Sequence, residues 1–119
     1  MARISITKVD VPDSVLVDTE YVSSISIKNE FQLPLIYRYK WTITYADGTN
    51  KIVNSIPRII KRGEEKVIAL KASGKMDGVE HHVFSVISLF REQDRAEWDV
   101  DVVSEAVDAE IIGTEFMGV

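Results

Sequence analysis

Apolar and polar residues alternate along nearly the whole chain, and a period of two puts successive side chains on opposite faces of a strand. The pattern predicts seven strands. The first covers Arg3–Asp10, breaks at Val11-Pro12-Asp13 and continues briefly near Val15-Leu16-Val17. The second, Glu20–Asn29, places Tyr21, Ser23, Ile25 and Ile27 on one face and Ser24, Ser26 and Lys28 on the other. The third, Ile36–Ala46, carries Tyr37, Tyr39, Trp41, Ile43 and Tyr45 on one face, with Arg38, Lys40, Thr42 and Thr44 opposite. Lys51–Ile56 and Glu65–Ala72 supply the fourth and fifth. The sixth, His81–Arg91, is apolar on both faces, because Phe84, Val86 and Phe90 alternate with Val83, Ile87 and Leu89. Such a strand is central or covered on its outer side. The seventh turns Trp98, Val100 and Val102 inward and Glu97, Asp99 and Asp101 outward.

Turn chemistry separates these runs. Pro34 makes Phe31-Gln32-Leu33-Pro34 a loop, since proline lacks an N–H and biases the preceding residue away from helix. Asp47-Gly48 is a two-residue hairpin signal, both residues tolerating the positive φ of a type I′ turn. Pro57 ends the fourth strand and favours a sheet edge there. Lys61-Arg62-Gly63-Glu64 and Glu92-Gln93-Asp94-Arg95 read as turns, and Ser73–Gly78 as a polar connection. Seven short strands at this spacing predict an all-β fold, a seven-stranded antiparallel two-sheet sandwich over residues 1–104, followed by a C-terminal tail at 105–119.

Composition narrows the class. At 119 residues, 45% hydrophobic and 28% charged, the chain has enough apolar content for one core. It is not built like a disordered segment. Nineteen acids against 14 bases, a net charge of −5, argue against a nucleic-acid partner. The chain has no cysteine, which removes disulfides, thiolate zinc sites and cysteine nucleophiles. No apolar run approaches the roughly 20 residues of a membrane span. No basic segment followed by an apolar stretch marks a signal peptide. Membrane insertion is not expected.

Several landmarks resemble the immunoglobulin-like sandwiches, in particular cysteine-free fibronectin type III-like and adhesion-type modules. Ile25-Ser26-Ile27-Lys28-Asn29 looks like a second strand closing on Asn, and Trp41 looks like the buried tryptophan of the third. Arg62-Gly63-Glu64-Glu65 looks like the turn into the fifth strand, and Gly78 with His82-Val83-Phe84-Ser85-Val86 like the entry to the sixth. The resemblance covers residues 3–103 and departs in two places. The paired cysteines of antibody domains are absent, and His82 occupies the slot of the tyrosine near the start of the sixth strand. The resemblance implies an extracellular, cell-surface or virion setting.

Candidate chemistry is sparse. The aromatic row from Tyr37 to Tyr45 spans about 26 Å, so Trp41 is expected in the core while Tyr37 or Tyr45 reaches the rim, free to stack on a sugar or a neighbouring subunit. His81 and His82 point to opposite faces and cannot readily share a metal ion. The acidic row Glu97, Asp99, Asp101 lacks a calcium-loop motif and reads as a solvated face. It could pair across an interface with Lys61-Arg62 or Arg38 and Lys40. No nucleophile or acid–base constellation is present, and no catalytic residue, metal or cofactor is expected.

The functional expectation is a non-enzymatic structural or protein-interaction module, a component of a virion, surface layer, filament or adhesive assembly. Its partners would be proteins, including other copies of itself. The alternative is a carbohydrate-binding module using rim aromatics. Outward strand faces carry mostly Ser, Thr, Lys, Arg and Glu, which favours the first. Ile111, Ile112, Phe116 and Met117 make the tail too apolar to remain in water. Docking on its own domain in cis and on a neighbour in trans are equally open. Ile111, Ile112, Phe116, Met117, Tyr37 and Tyr45 are the candidate interaction residues.

Overall fold

A computed structural model of the protein describes residues 3–104. They form nine strands: β1 (Ile4–Asp10), β2 (Ser14–Leu16), β3 (Glu20–Asn29), β4 (Leu35–Thr44), β5 (Asn50–Asn54), β6 (Arg58–Ile60), β7 (Glu65–Ser73), β8 (Gly78–Ser88) and β9 (Arg91–Val103). One sheet has the order β1-β3-β7; the other runs β2-β9-β8-β4-β5, with β6 also paired to β4. The two-sheet, all-β architecture is the expected one, but the count is nine rather than seven. Pairing is also not uniformly antiparallel, because β2 runs parallel to β9.

Each extra strand has a local cause. After Val11-Pro12-Asp13 the chain leaves β1's sheet and joins the other one as β2, so one expected strand becomes two. At Ser55-Ile56-Pro57 a ladder donor is lost, and the edge strand beside β4 splits into β5 and β6. The Ser55 hydroxyl bridges the gap by accepting the Tyr39 N–H at 2.8 Å, and the Ser55 N–H donates to the Tyr39 carbonyl at 2.9 Å.

Alternation along β4 survives intact. Leu35, Tyr37, Trp41 and Ile43 are buried between the sheets. They meet Ile25 and Ile27 of β3, Ile68 and Leu70 of β7, and Phe84 and Val86 of β8 in one core. Tyr37 is therefore a core residue, 2% exposed, and not a rim aromatic; burial pushes its phenol pKa up. Asn29, fully buried, closes β3 by donating its amide to the carbonyls of Leu33 and Ile60 and accepting the Phe31 N–H at 2.8 Å. Gly78 begins β8 at φ +124°, and a Cβ there would stand 2.5 Å from that of Ala46. No other residue fits this position without displacing the β4–β5 turn.

Two turns differ from expectation. At Tyr45–Thr49 only Gly48 has positive φ, and its N–H donates to the Tyr45 carbonyl. That is a four-residue turn whose last residue is a left-handed glycine, not a type I′ pair. Residues 92–95 are not a turn at all. They belong to β9, and the chain reverses at Leu89-Phe90 instead.

The core contains one polar chain. His82 is fully buried on β8, its ring stacked between Trp41 and Trp98 with centroids 5.9 and 5.1 Å away. The Trp41 indole N–H, which can only donate, lies 3.0 Å from His82 Nδ1. That places the imidazole proton on Nε2, which donates to the Tyr21 oxygen at 3.0 Å. The Tyr21 hydroxyl then donates to Glu80 Oε1 at 2.6 Å, and the Lys75 N–H donates to the other Glu80 oxygen at 3.1 Å. Tyr21 stands on β3 and the other side chains on β4 and β8, so the relay crosses from sheet to sheet. Burial lowers the His82 pKa to about 4 against the opposing pull of Glu80. His81, pointing outward, is held above the usual histidine value by Asp99, 2.6 Å away, and by Glu97.

Two outcomes follow from this core. Trp41→Ala should cost about 3–5 kcal/mol in denaturant unfolding, the range for emptying a core aromatic site. It also orphans His82 Nδ1. Acidification should destabilise the fold through His82. The unfolded chain takes a proton near pH 6.5 and the folded chain only near pH 4, so stability is lost as pH falls through that window. Between pH 7 and 4.5 the loss should be smaller by about 2–3 kcal/mol in His82→Gln than in the wild type. Equal losses would refute the assignment.

Candidate interaction surface

The hairpin joining β8 to β9 pairs Ser88 with Arg91 and leaves only Leu89 and Phe90 in the loop. A two-residue reversal matching strand twist needs positive φ at both positions, and here Leu89 has φ 55° and Phe90 φ 64°. Asn-Gly is the usual solution. Two bulky L-residues in the left-handed region cost about 1–2 kcal/mol each. Neither recovers that cost by burial: Leu89 is 44% exposed and Phe90 fully exposed.

The neighbouring surface is apolar too. Ile36 on β4 and Ile59 on β6 face each other across the ladder on the outer side of the sheet, 63% and 59% exposed. Leu33, in the loop before β4, is 61% exposed. A groove of about 710 Å³ runs between β4 and the hairpin, lined by Pro34, Ile36, Arg38, Ile87, Leu89 and Phe90. A polar continuation alongside is lined by Lys40, Arg91, Glu92 and Arg95. The strand ends supporting this surface are anchored. Gln93 donates to the Ser88 carbonyl and accepts the Arg3 N–H, and Ser88 donates to the Ile36 carbonyl. A rigid frame thus presents an exposed apolar tip.

The residues singled out from sequence fall elsewhere. Tyr37 is in the core. Tyr45 is half-buried at the opposite end of β4, with the Lys75 ammonium 4.4 Å from its ring centroid. The two do not converge. Ile111, Ile112, Phe116 and Met117 lie outside the described residues. The outward acids Glu97 and Asp99 flank His81, and Arg95 lies 3.4 Å from Glu92 and 3.6 Å from Glu97. Sequence reading missed Ile36, Ile59, Leu89 and Phe90. The available signals were the unbroken apolar run Leu35-Ile36-Tyr37 and the doublet Ile59-Ile60, each putting one large apolar group on the outer face.

No protein-family model and no curated protein sequence matches the chain. Solved structures do. A CARDB domain from Pyrococcus furiosus, crystallised in complex with di-metal ions, superposes with TM-score 0.66 at 22% identity, covering 88% of this chain and 94% of that one. An alkylpurine DNA glycosylase from Pseudomonas fluorescens gives TM-score 0.62 at 15% identity over 84% of this chain. A Bacteroides uniformis β-glucuronidase gives 0.59 at 15% over 82%. The chain spans only 31% of the DNA glycosylase and 12% of the glucuronidase. These likenesses show the fold alone, an all-β sandwich of two sheets like that of the CARDB domain.

If Leu89 and Phe90 are strained where they stand, replacing both by Asn-Gly should stabilise the protein. The expected gain in unfolding free energy is about 1–2 kcal/mol, after allowing for glycine's extra freedom in the unfolded chain. An unchanged or lowered stability would show that the hairpin carries no such strain.

Proposed function

We propose that the protein is a non-enzymatic interaction module that docks other proteins on the apolar end of its larger sheet. The observation that carries this reading is Phe90, a fully exposed aromatic held at a left-handed turn that asparagine and glycine would fill at lower cost. Strain retained at an exposed apolar tip is the pattern expected of a contact element. Leu33, Ile36 and Ile59 extend it into a patch of the kind that isolated soluble domains rarely leave in water. A repeating assembly such as a virion, surface layer, filament or adhesive array is the setting this role fits. A carbohydrate platform has less support, since Tyr37 is buried and one face of Tyr45 is covered by Lys75.

A photo-crosslinking phenylalanine analogue at position 90 of the full chain tests the docking reading in cells producing it. Irradiation should give protein adducts of higher mass, and the same analogue at exposed Val67, on the other sheet, should not. Irradiated chain that gains no adduct at position 90 beyond the Val67 control would refute the assignment.

A further inference from the structure

The chain itself carries a segment whose chemistry matches the patch. Residues 105–119 hold Ile111, Ile112, Phe116 and Met117 together with four of the 19 acids, Glu105, Asp108, Glu110 and Glu115, and none of the 14 bases. The patch offers the complement: Ile36, Leu89 and Phe90 beside Arg38 and Arg91, with Lys40 further along the same face. Among the described residues no carboxylate forms an ion pair with Arg38, Lys40 or Arg91, whereas Arg95 is engaged by Glu92 and Glu97.

Distance favours a neighbouring copy as the source of the segment. β9 begins at Arg91 beside the patch and ends at Val103, and its 13 residues span about 40 Å. Ser104 therefore lies at the far end of the domain. Phe116 is twelve residues beyond Ser104. To return along its own domain the chain must first reverse, which takes at least two of those residues. The remaining ten reach only about 35 Å when fully extended. Phe116 and Met117 reach their own patch only by running fully extended along the whole sheet, while a neighbouring copy stacked end to end presents its patch directly.

We infer that residues 105–119 of one copy dock on the Ile36–Phe90 patch of the next, joining copies head to tail. Phe116 and Met117 occupy the apolar groove, and Glu115 faces Arg38 and Arg91. The inference rests on the reading of this patch as a protein-docking surface. Donor and acceptor surfaces differ, so the contact is heterologous and builds rings or open filaments instead of closed two-fold dimers.

Light scattering of the full chain across a concentration series tests it, with two single substitutions. Mass should rise with concentration for the wild type. Phe90→Asp, which keeps its tail but loses its acceptor, and Phe116→Asp, which keeps its acceptor but loses its tail, should each remain monomeric with melting temperatures near the wild type. Mixed in equal amounts they retain one functional contact between them, and the mass should double and then stop. A wild type monomeric at every concentration, assembly indifferent to either substitution, or a mixture that stays monomeric would each overturn the inference. A position-90 adduct with a different protein, alongside a monomeric chain, would overturn it while leaving the docking surface standing. Binding to phosphatidylserine vesicles that Phe90→Asp abolishes and Phe116→Asp does not would assign the patch to a lipid surface and overturn both.

Discussion

In the core the two sheets are linked by a hydrogen bond between Tyr21 of β3 and His82 of β8, packed against Trp41 of β4. In antibody domains the two sheets are joined by a disulfide that packs on the strand-C tryptophan. This chain has no cysteine, and a directed polar relay joins its sheets beside Trp41. The substitution changes the physics of the link. A disulfide constrains the unfolded chain, whereas a buried hydrogen-bond chain acts on the folded state and does so only if every member is satisfied. Here each is: the indole fixes the tautomer, the imidazole feeds the phenol, and the phenol and the Lys75 N–H share the Glu80 carboxylate. Removing one partner leaves a buried polar group unpaired, which costs more than the bond contributed. The relay is satisfied only where Tyr21, Trp41, Glu80 and His82 meet in this arrangement of the sheets.

Much of this fold was legible in the sequence, because alternation is a direct readout of strand faces. The inward row of β4, the closure of β3 on Asn29 and the glycine at the start of β8 were all visible, and each has a geometric reason. Three features were not. The relay is invisible because it is assembled from residues 21, 41, 80 and 82, whose meeting depends on sheet pairing and not on spacing. The splitting of the edge strand turns on Ser55, whose hydroxyl replaces a ladder contact only in the folded register. The hairpin at Leu89-Phe90 was hidden by its own chemistry. A polar tetrad three residues later offered a more conventional turn, and nothing in Leu-Phe announces positive φ.

The site was less legible than the fold for the same reason. Sequence reading looked for function in unusual residue types, the aromatic row, the histidines and the acids. The structure assigns each an ordinary partner: core packing for Tyr37, the relay for His82, Asp99 and Glu97 for His81. What remains unpartnered is a set of unremarkable aliphatics and one phenylalanine. Exposure, not identity, distinguishes them, and exposure follows from topology.

The hairpin is where the fold departs from its own rules. At many other positions local preference and global structure agree: prolines at breaks and edges, and glycine at the left-handed turns of residues 48 and 63. At residues 89 and 90 backbone preference, burial and turn chemistry all point one way and the chain takes another. Disagreement between levels marks the positions shaped by something other than folding. The same end of the domain holds Arg38 and Arg91, which pair with no described carboxylate, and the acidic, apolar residues 105–119 follow the other end of β9 in sequence. The inferred head-to-tail contact would bring that patch together with residues 105–119 of a neighbouring copy, whose composition is acidic and apolar.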